Sequence, residues 1–175
     1  YYGTETGAAG SVMTFFPWAH APQGAVGAGQ VSVTQYATPP GSLPFWRERL
    51  PRLGARLVAA AETAFGETRA VFADPDGLLL ALVETEDDRA PWTTEEIGPE
   101  HALRGFHGVT LALLDGAAAA RILTEVFGYA ETGRAPMGGG EAIRFARPGG
   151  TAAVVDLHVD PALPAGRDGV GTVHH

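Results

Sequence analysis

Two adjacent histidines, His174 and His175, stand at the end of the 175-residue chain and are its only paired imidazoles. Imidazole is the commonest metal ligand and the side chain that exchanges a proton near neutral pH. On a strand, neighbouring side chains point to opposite faces, so only one of the pair can face a given metal. A remnant purification tag or an unstructured end would leave the same two letters, and the residues alone leave both readings open.

The remaining chemistry-bearing residues read as structural. His107 lies in an apolar run and is expected to be a core or sheet-face histidine with a hydrogen-bonded ring rather than a ligand. His20 and His101 sit beside loop signals and are expected to be solvated. His158, close to Asp156 and Asp160, suggests a His/Asp site, but Asp160 precedes Pro161, so a strand end above a loop is the preferred reading. Gly138, Gly139 and Gly140 precede a strand, not a helix, and form a loop rather than a phosphate cradle. Glu95, Glu96 and Glu100 belong to a solvated linker, and no serine has a histidine and an acid in useful context. With no cysteine, disulfides and thiolate metal sites are excluded.

The elements that must position these residues are announced by a repeated phrase. Phe72-Ala73-Asp74-Pro75-Asp76-Gly77 recurs as Phe145-Ala146-Arg147-Pro148-Gly149-Gly150, each followed by an apolar run. Proline presets one turn angle and glycine accepts the positive one, so each phrase ends a strand and starts its return. In the later copy, 105–114 reads as a buried strand, Asp115 caps a helix over about 116–127 ended by Gly128, and strands follow at 142–146 and 151–158, with 129–135 as a further candidate. In the earlier copy, 30–38 is a strand, Ser42 caps a helix with Pro44 in its first turn, and 69–73 and 78–84 are strands. Residues 1–18 look like the tail of another copy, with 7–10 replacing the turn, and 169–175 like the opening strand of one more. The chain therefore reads as a fragment of a longer repeat protein.

A net charge of −8 and scattered arginines argue against a nucleic-acid surface. No apolar run approaches the roughly 20 residues of a membrane span, and the N-terminus lacks the order of a secretion signal, which points to a cytoplasmic protein.

The unit order and several segments resemble the vicinal oxygen chelate superfamily (glyoxalase, bleomycin-resistance and extradiol dioxygenase proteins), and within it the hydroquinone-type ring-cleaving dioxygenases. The matching segments are Tyr2-Gly3-Thr4-Glu5-Thr6-Gly7, Thr14-Phe15-Phe16-Pro17-Trp18, Gly27-Ala28-Gly29-Gln30-Val31, Pro40-Gly41-Ser42-Leu43-Pro44-Phe45-Trp46, Arg104-Gly105-Phe106-His107-Gly108-Val109-Thr110-Leu111 and Gly171-Thr172-Val173-His174-His175. The resemblance implies an α+β fold of repeated βαβββ modules in curled mixed sheets. The expected organisation is the C-terminal part of a first module (1–18), a second module (29–86), a linker (87–99), a third module (103–159), a second linker (160–168) and the opening strand of a fourth (169–175).

The same resemblance implies Fe(II), with Mn(II) as the alternative, held by two histidines and a glutamate, with open positions for an aromatic substrate and O2. Family ligands lie on opening strands and about four residues after the turn glycine of last strands. That places Ala81, Val154 and Thr14 at last-strand positions, and Gly108 and the Gln30-Val31 pair on opening strands. None is a ligand of the expected kind, so the two complete copies look metal-free. His175 matches a family metal ligand, His174 takes the catalytic role of a polar contact near substrate, and Phe15, Phe16 and Trp18 line the aromatic pocket. The missing glutamate is expected 46 to 50 residues beyond His175, and the other histidine 32 to 36 before Tyr1. The expected function is a ring-cleaving dioxygenase acting on a catechol- or hydroquinone-type substrate, inactive as the fragment alone. A glyoxalase-type lyase or isomerase and a metal-free binding protein of the bleomycin-resistance kind are the alternatives. The expected partner is a small aromatic molecule, with neither nucleic acid nor membrane, and homo-oligomerisation is left open.

Overall fold

The computed structural model describes every residue except 1, 4, 5, 9, 10, 150–152 and 175. His175, the turn glycines Gly10 and Gly150, and Thr151, where the last strand was expected to begin, lie outside the described residues.

Two units follow the same order. The first comprises β1 (Gln30–Thr38), α1 (Leu43–Arg52), β2 (Arg56–Ala64), β3 (Glu67–Ala73) and β4 (Leu79–Glu84). The second comprises β5 (Gly105–Leu113), α2 (Ala117–Arg121) continued by a π-helical turn (Ile122–Val126), β6 (Ala130–Met137), β7 (Gly140–Ala146) and β8 (Val154–Val159). In each unit the opening strand runs parallel to the last, β1 beside β4 and β5 beside β8, which requires the long crossover that carries the helix. The units join through β1 and β5, antiparallel, into one 8-stranded sheet of order β2-β3-β4-β1-β5-β8-β7-β6.

The reading of the earlier copy lacked β2. Its sequence, Arg56-Leu57-Val58-Ala59-Ala60-Ala61-Glu62-Thr63-Ala64, is alanine-rich and carries little strand signal. As an edge strand with most of its side chains exposed, it gains its conformation from pairing with β3 through two register shifts. The helix after Asp115 also differs from expectation. Asp115 Oδ1 accepts from the Ala117 amide at 2.9 Å, but the helix widens after Arg121, where the Phe127 amide reaches Ile122 O at 3.2 Å. Ser42 precedes α1, yet its hydroxyl is buried against Thr38 Oγ1 at 2.7 Å. The orphan amide of Leu43 is satisfied instead by Glu84 Oε1 at 3.0 Å, so the helix start is tied to the last strand of its own unit.

Each helix packs on the convex face of the sheet over its own apolar cluster. Leu43 and Trp46 meet Ala70, Phe72 and Leu82 under α1, while Leu123 meets Ile143, Phe145, Val155 and Leu157 under α2. Each buried Leu, Ile, Val or Phe among them contributes about 1.5–3 kcal/mol. The alternate residues line the concave face, and there the interior is polar. Gln35, Thr110, Arg144 and Asp156 are all buried.

The concave face is strongly curled. β3 and β7 stand five strands apart in the sheet, a separation of roughly 24 Å if the sheet were flat. Arg144 of β7 nevertheless bonds Glu67 of β3, and its guanidinium lies 4.3 Å from the Phe65 ring centroid. Burial alone would raise the Glu67 carboxyl, but hydrogen bonds and charge from His107 and Arg144 outweigh it and hold the group below the usual glutamate range. A carboxyl lowered in the folded state contributes stability that is complete above its unfolded value, about 4.3, and lost as pH falls through the folded one. The stability difference between the native chain and Glu67→Gln is therefore expected to shrink between about pH 5 and pH 3. Urea midpoints across that window check this, and a pH-independent difference would contradict it.

Among the described residues no helix is long and apolar enough to cross a membrane.

Candidate active site

A segment that precedes the first unit meets a segment that follows the second. Residues 20–29 run beside 163–172 through three isolated bridges, Gln23 to Val170, Ala25 to Arg167 and Ala28 to Ala165. Ala25 and Arg167 exchange backbone hydrogen bonds at 2.8 Å each, and the Gly24 amide reaches Val170 O at 2.9 Å. This pairing carries Phe15, Phe16 and Trp18 at one end and His174 at the other to a common cavity of about 610 Å³. Phe16 stacks on Trp18 with ring centroids 5.7 Å apart, and Trp18 meets His174 edge to face at 5.3 Å. Thr14, Asp76 and Thr172 supply the polar part of the wall. His174 also borders a second cavity of about 330 Å³ that includes Gln30 and Asp168, themselves joined at 2.7 Å.

The turn of the repeated phrase forms part of this wall. Asp74 Oδ1 accepts from the amides of Asp76 and Leu78 at 2.9 and 2.8 Å, holding the turn in shape, and Gly77 takes φ +98°. Gln23 Nε2 donates to both Asp76 O and Val170 O at 2.9 Å, stapling that turn to the segment leading into His174. Gly171 is required by the closeness of the staple. Its φ is +80°, and a Cβ there would lie 2.0 Å from Asp76 O. Gly171→Ala is expected to cost about 1–3 kcal/mol locally. The amides of Gly24 and Val170 should then exchange roughly 10- to 100-fold faster, and hydrogen exchange resolved by NMR checks this.

The ligand row of the complete units is fixed by register. Gln35 pairs with Ala81, Gly108 with Val154, and Gln35 with Gly108 across the seam. The residue of β1 equivalent to Gly108 is thus Gln35 rather than Val31. Bulges at Ser32 and His107 interrupt the pairing of β1 with β5 on either side of this row. Both parallel pairs, Gln35 with Ala81 and Gly108 with Val154, are 46 positions apart.

Around that row runs a buried polar network that sequence reasoning missed. Gln35 Nε2 donates to Thr110 Oγ1 and Asp156 Oδ2, both at 3.0 Å. Arg144 grips Asp156 with two bonds, Nε to Oδ1 at 2.8 Å and Nη2 to Oδ2 at 2.9 Å, and its Nη1 bonds Glu67. His107 Nε2 completes the chain at 3.2 Å from Glu67 Oε2. The available signal was an arginine at the centre of an apolar strand, Ala142-Ile143-Arg144-Phe145-Ala146. Such a charge is buried only with partners.

The other histidines separate as follows. His107 has the hydrogen-bonded ring expected of a core or sheet-face histidine and is half-buried. His101, expected to be solvated, instead stacks on Phe45 at 4.2 Å, while its carbonyl accepts from Trp46 Nε1 at 2.9 Å. Asp160 Oδ1 accepts from the Ala162 amide at 2.8 Å and Asp156 belongs to Arg144, so neither carboxylate pairs with His158. His20 is exposed.

Among the described residues, neither region holds a complete donor set for the iron that the resemblance implies. The concave cup already contains the guanidinium of Arg144, and the described lining of the His174 cavity includes one histidine and one acidic residue, Asp76. Among the described residues no three histidine or carboxylate groups cluster as a metal site.

No family model matches the chain. It is 39% identical over 176 residues to MhqO of Bacillus subtilis (strain 168), whose name describes a ring-cleaving dioxygenase, covering all of this chain and 54% of that protein. It is 33% identical over 182 residues to chlorohydroquinone/hydroquinone 1,2-dioxygenase of Sphingobium indicum, covering all of this chain and 55% of that protein. A dioxygenase structure from Bacillus subtilis superposes with a TM-score of 0.82 at 38% identity, over 95% of this chain and 52% of the other. Glyoxalase I from Zea mays superposes with a TM-score of 0.57 at 12% identity, over 87% of this chain and 49% of the other, which is a likeness of fold alone. The fold and these relatives support a likeness to the vicinal oxygen chelate superfamily. The chain spans about half the length of the curated relatives it matches.

Proposed function

We propose that the chain is part of an oxidoreductase that opens a catechol- or hydroquinone-type ring with O2, and that the cavity at His174 receives the ring. The observation that carries this reading is the convergence of Phe15, Phe16, Trp18 and His174 on one cavity from opposite ends of the chain. Aromatic faces bind a flat ring by offset or edge contacts worth about 0.5–1.5 kcal/mol each beyond area burial. An imidazole beside them can accept a proton from a ring hydroxyl or donate to it. His175 is the proposed metal ligand. The Fe(II) of the reading, or Mn(II), would be completed by residues outside 1–175 and would supply activation of O2. The names of the relatives support dioxygenase chemistry, and hydroquinone in one of them supports the substrate class.

The domain reading belongs to the same proposal: 1–18 ends a first module, 169–175 opens a fourth, and 29–86 and 103–159 are the second and third. The shared spacing of 46 positions in both complete units sharpens one expectation. The coding sequence should place a glutamate about 46 residues beyond His175. The direct test supplies the intact gene product with Fe(II) and hydroquinone or catechol in an oxygen electrode. Equimolar O2 uptake and ring-opened product are expected. Anaerobic turnover of a hemithioacetal would favour the lyase reading, and stoichiometric binding without turnover the binding-protein reading.

A further inference from the structure

A second cavity, of about 240 Å³, lies beside α1 on the helix side of the first unit. Tyr36 of β1 and Trp46 of α1 line it together with Trp92, Ile97 and Leu103 from the segment that joins the two units. Met13 completes the wall and also borders the His174 cavity, so the two spaces share a partition without sharing Trp18 or His174. The lining is almost wholly apolar. An apolar cavity of about 150 Å³ is already large enough to hold benzene, so this one accommodates a single substituted ring.

Its few polar groups define the rest of the ligand. Trp46 Nε1 donates to His101 O at 2.9 Å, and the Arg104 guanidinium donates to Pro99 O and Ala102 O at 3.1 and 3.4 Å. Two donors are left over. The Tyr36 hydroxyl has no hydrogen-bond partner among the described residues, and burial raises its pKa, so it stays a neutral donor. Arg89 Nη1 is buried and also unpartnered, and it stands beside Gly105 of the same wall, where a Cβ would be 3.2 Å away. The charge of Arg89 is already balanced by Asp87. The wall therefore lacks an acceptor, not a counter-charge, and a charged ligand would lose its hydration here without compensation.

We propose that this cavity is a second binding site, distinct from the His174 cavity, for a small uncharged aromatic molecule carrying one hydrogen-bond acceptor. The aromatic walls take the ring by edge and offset contacts, and the unmet donors fix the acceptor. This stands on the cavity's own geometry and does not depend on the dioxygenase reading.

The probes are acetophenone, a single ring with one carbonyl, and toluene, a ring without an acceptor. Each is titrated into the intact gene product while the indole N–H signals are followed by NMR, those of Trp46 and Trp92 being assigned with Trp46→Phe and Trp92→Phe. Both probes should move the Trp46 and Trp92 signals saturably. Ala90→Phe places a ring at an exposed position of the lining and should abolish those shifts with little effect on folding. Tyr36→Phe and Arg89→Leu each remove one donor. At least one of them should weaken acetophenone about threefold to tenfold while leaving toluene within about twofold of native. Silence at both indoles would overturn the proposal, because the space is then filled by the protein itself. Shifts confined to Trp18 would overturn it too, since the ring cavity alone then holds the probe. So would binding that survives Ala90→Phe, or an acetophenone affinity that neither donor variant lowers.

Discussion

Arg144→Ala is expected to destabilise the chain by about 3–5 kcal/mol, the typical loss when one partner of a buried ion pair is removed. The penalty arises less from the lost attraction than from what remains. Among the described residues, Asp156 would keep its charge at 1% exposure with the Gln35 amide as its polar side-chain partner, and Glu67 would keep His107. Arg144 also closes the curl, linking β7 to β3 and lying over Phe65, so its loss should loosen the contact between the two units. At roughly 2–4 °C per kcal/mol for a chain of this size, the melting temperature should fall by about 6–20 °C. Removing both charges together, as in Arg144→Met/Asp156→Leu, should recover much of the loss, because an apolar pair of similar volume carries no desolvation cost. Thermal and urea unfolding measure both. A loss below about 1 kcal/mol for Arg144→Ala would mean that water enters the cup and screens the pair.

His174→Ala in the intact gene product is expected to lower kcat by about 10²–10⁴-fold, the range for loss of a positioned acid–base group. Folding should be almost unaffected, since His174 is exposed at the rim of the cavity. His175→Ala should instead remove bound metal, and with it nearly all activity. His107→Ala supplies the contrast. It breaks the Glu67 contact inside the cup, so it should lower stability while leaving kcat within about threefold of native. Steady-state oxygen uptake with metal analysis separates the three. Activity above about a tenth of native in His174→Ala would sink the proposed role.

Much of the fold was legible because it rests on local chemistry. Each Pro-x-Gly phrase encodes a turn through backbone angles that proline and glycine set within four residues. Strands such as Gln30–Thr38 and Gly105–Leu113 announce themselves by apolar, β-branched runs. β2 was illegible for the complementary reason, since an alanine-rich edge strand takes its conformation from its neighbour. The candidate site was partly legible. Phe15, Phe16, Trp18 and His174 could be named one by one, but nothing in the letters brings residue 18 beside residue 174. That requires the paired segments 20–29 and 163–172 and the Gln23 staple.

The sequence by itself determined the repeat, the two complete units and the residue types available for chemistry, because turn geometry and periodicity act over a few residues. Only the tertiary structure decided which of those residues share a space. The parallel register of β1 with β4 and of β5 with β8 put Gln35 in the row of Gly108, and strand twist curled the sheet around it. That curl also brought Glu67, Arg144 and Asp156 together, though Glu67 and Arg144 lie 77 positions apart in the chain. Long-range placement of charge depends on that summed geometry, and no short stretch of residues contains it.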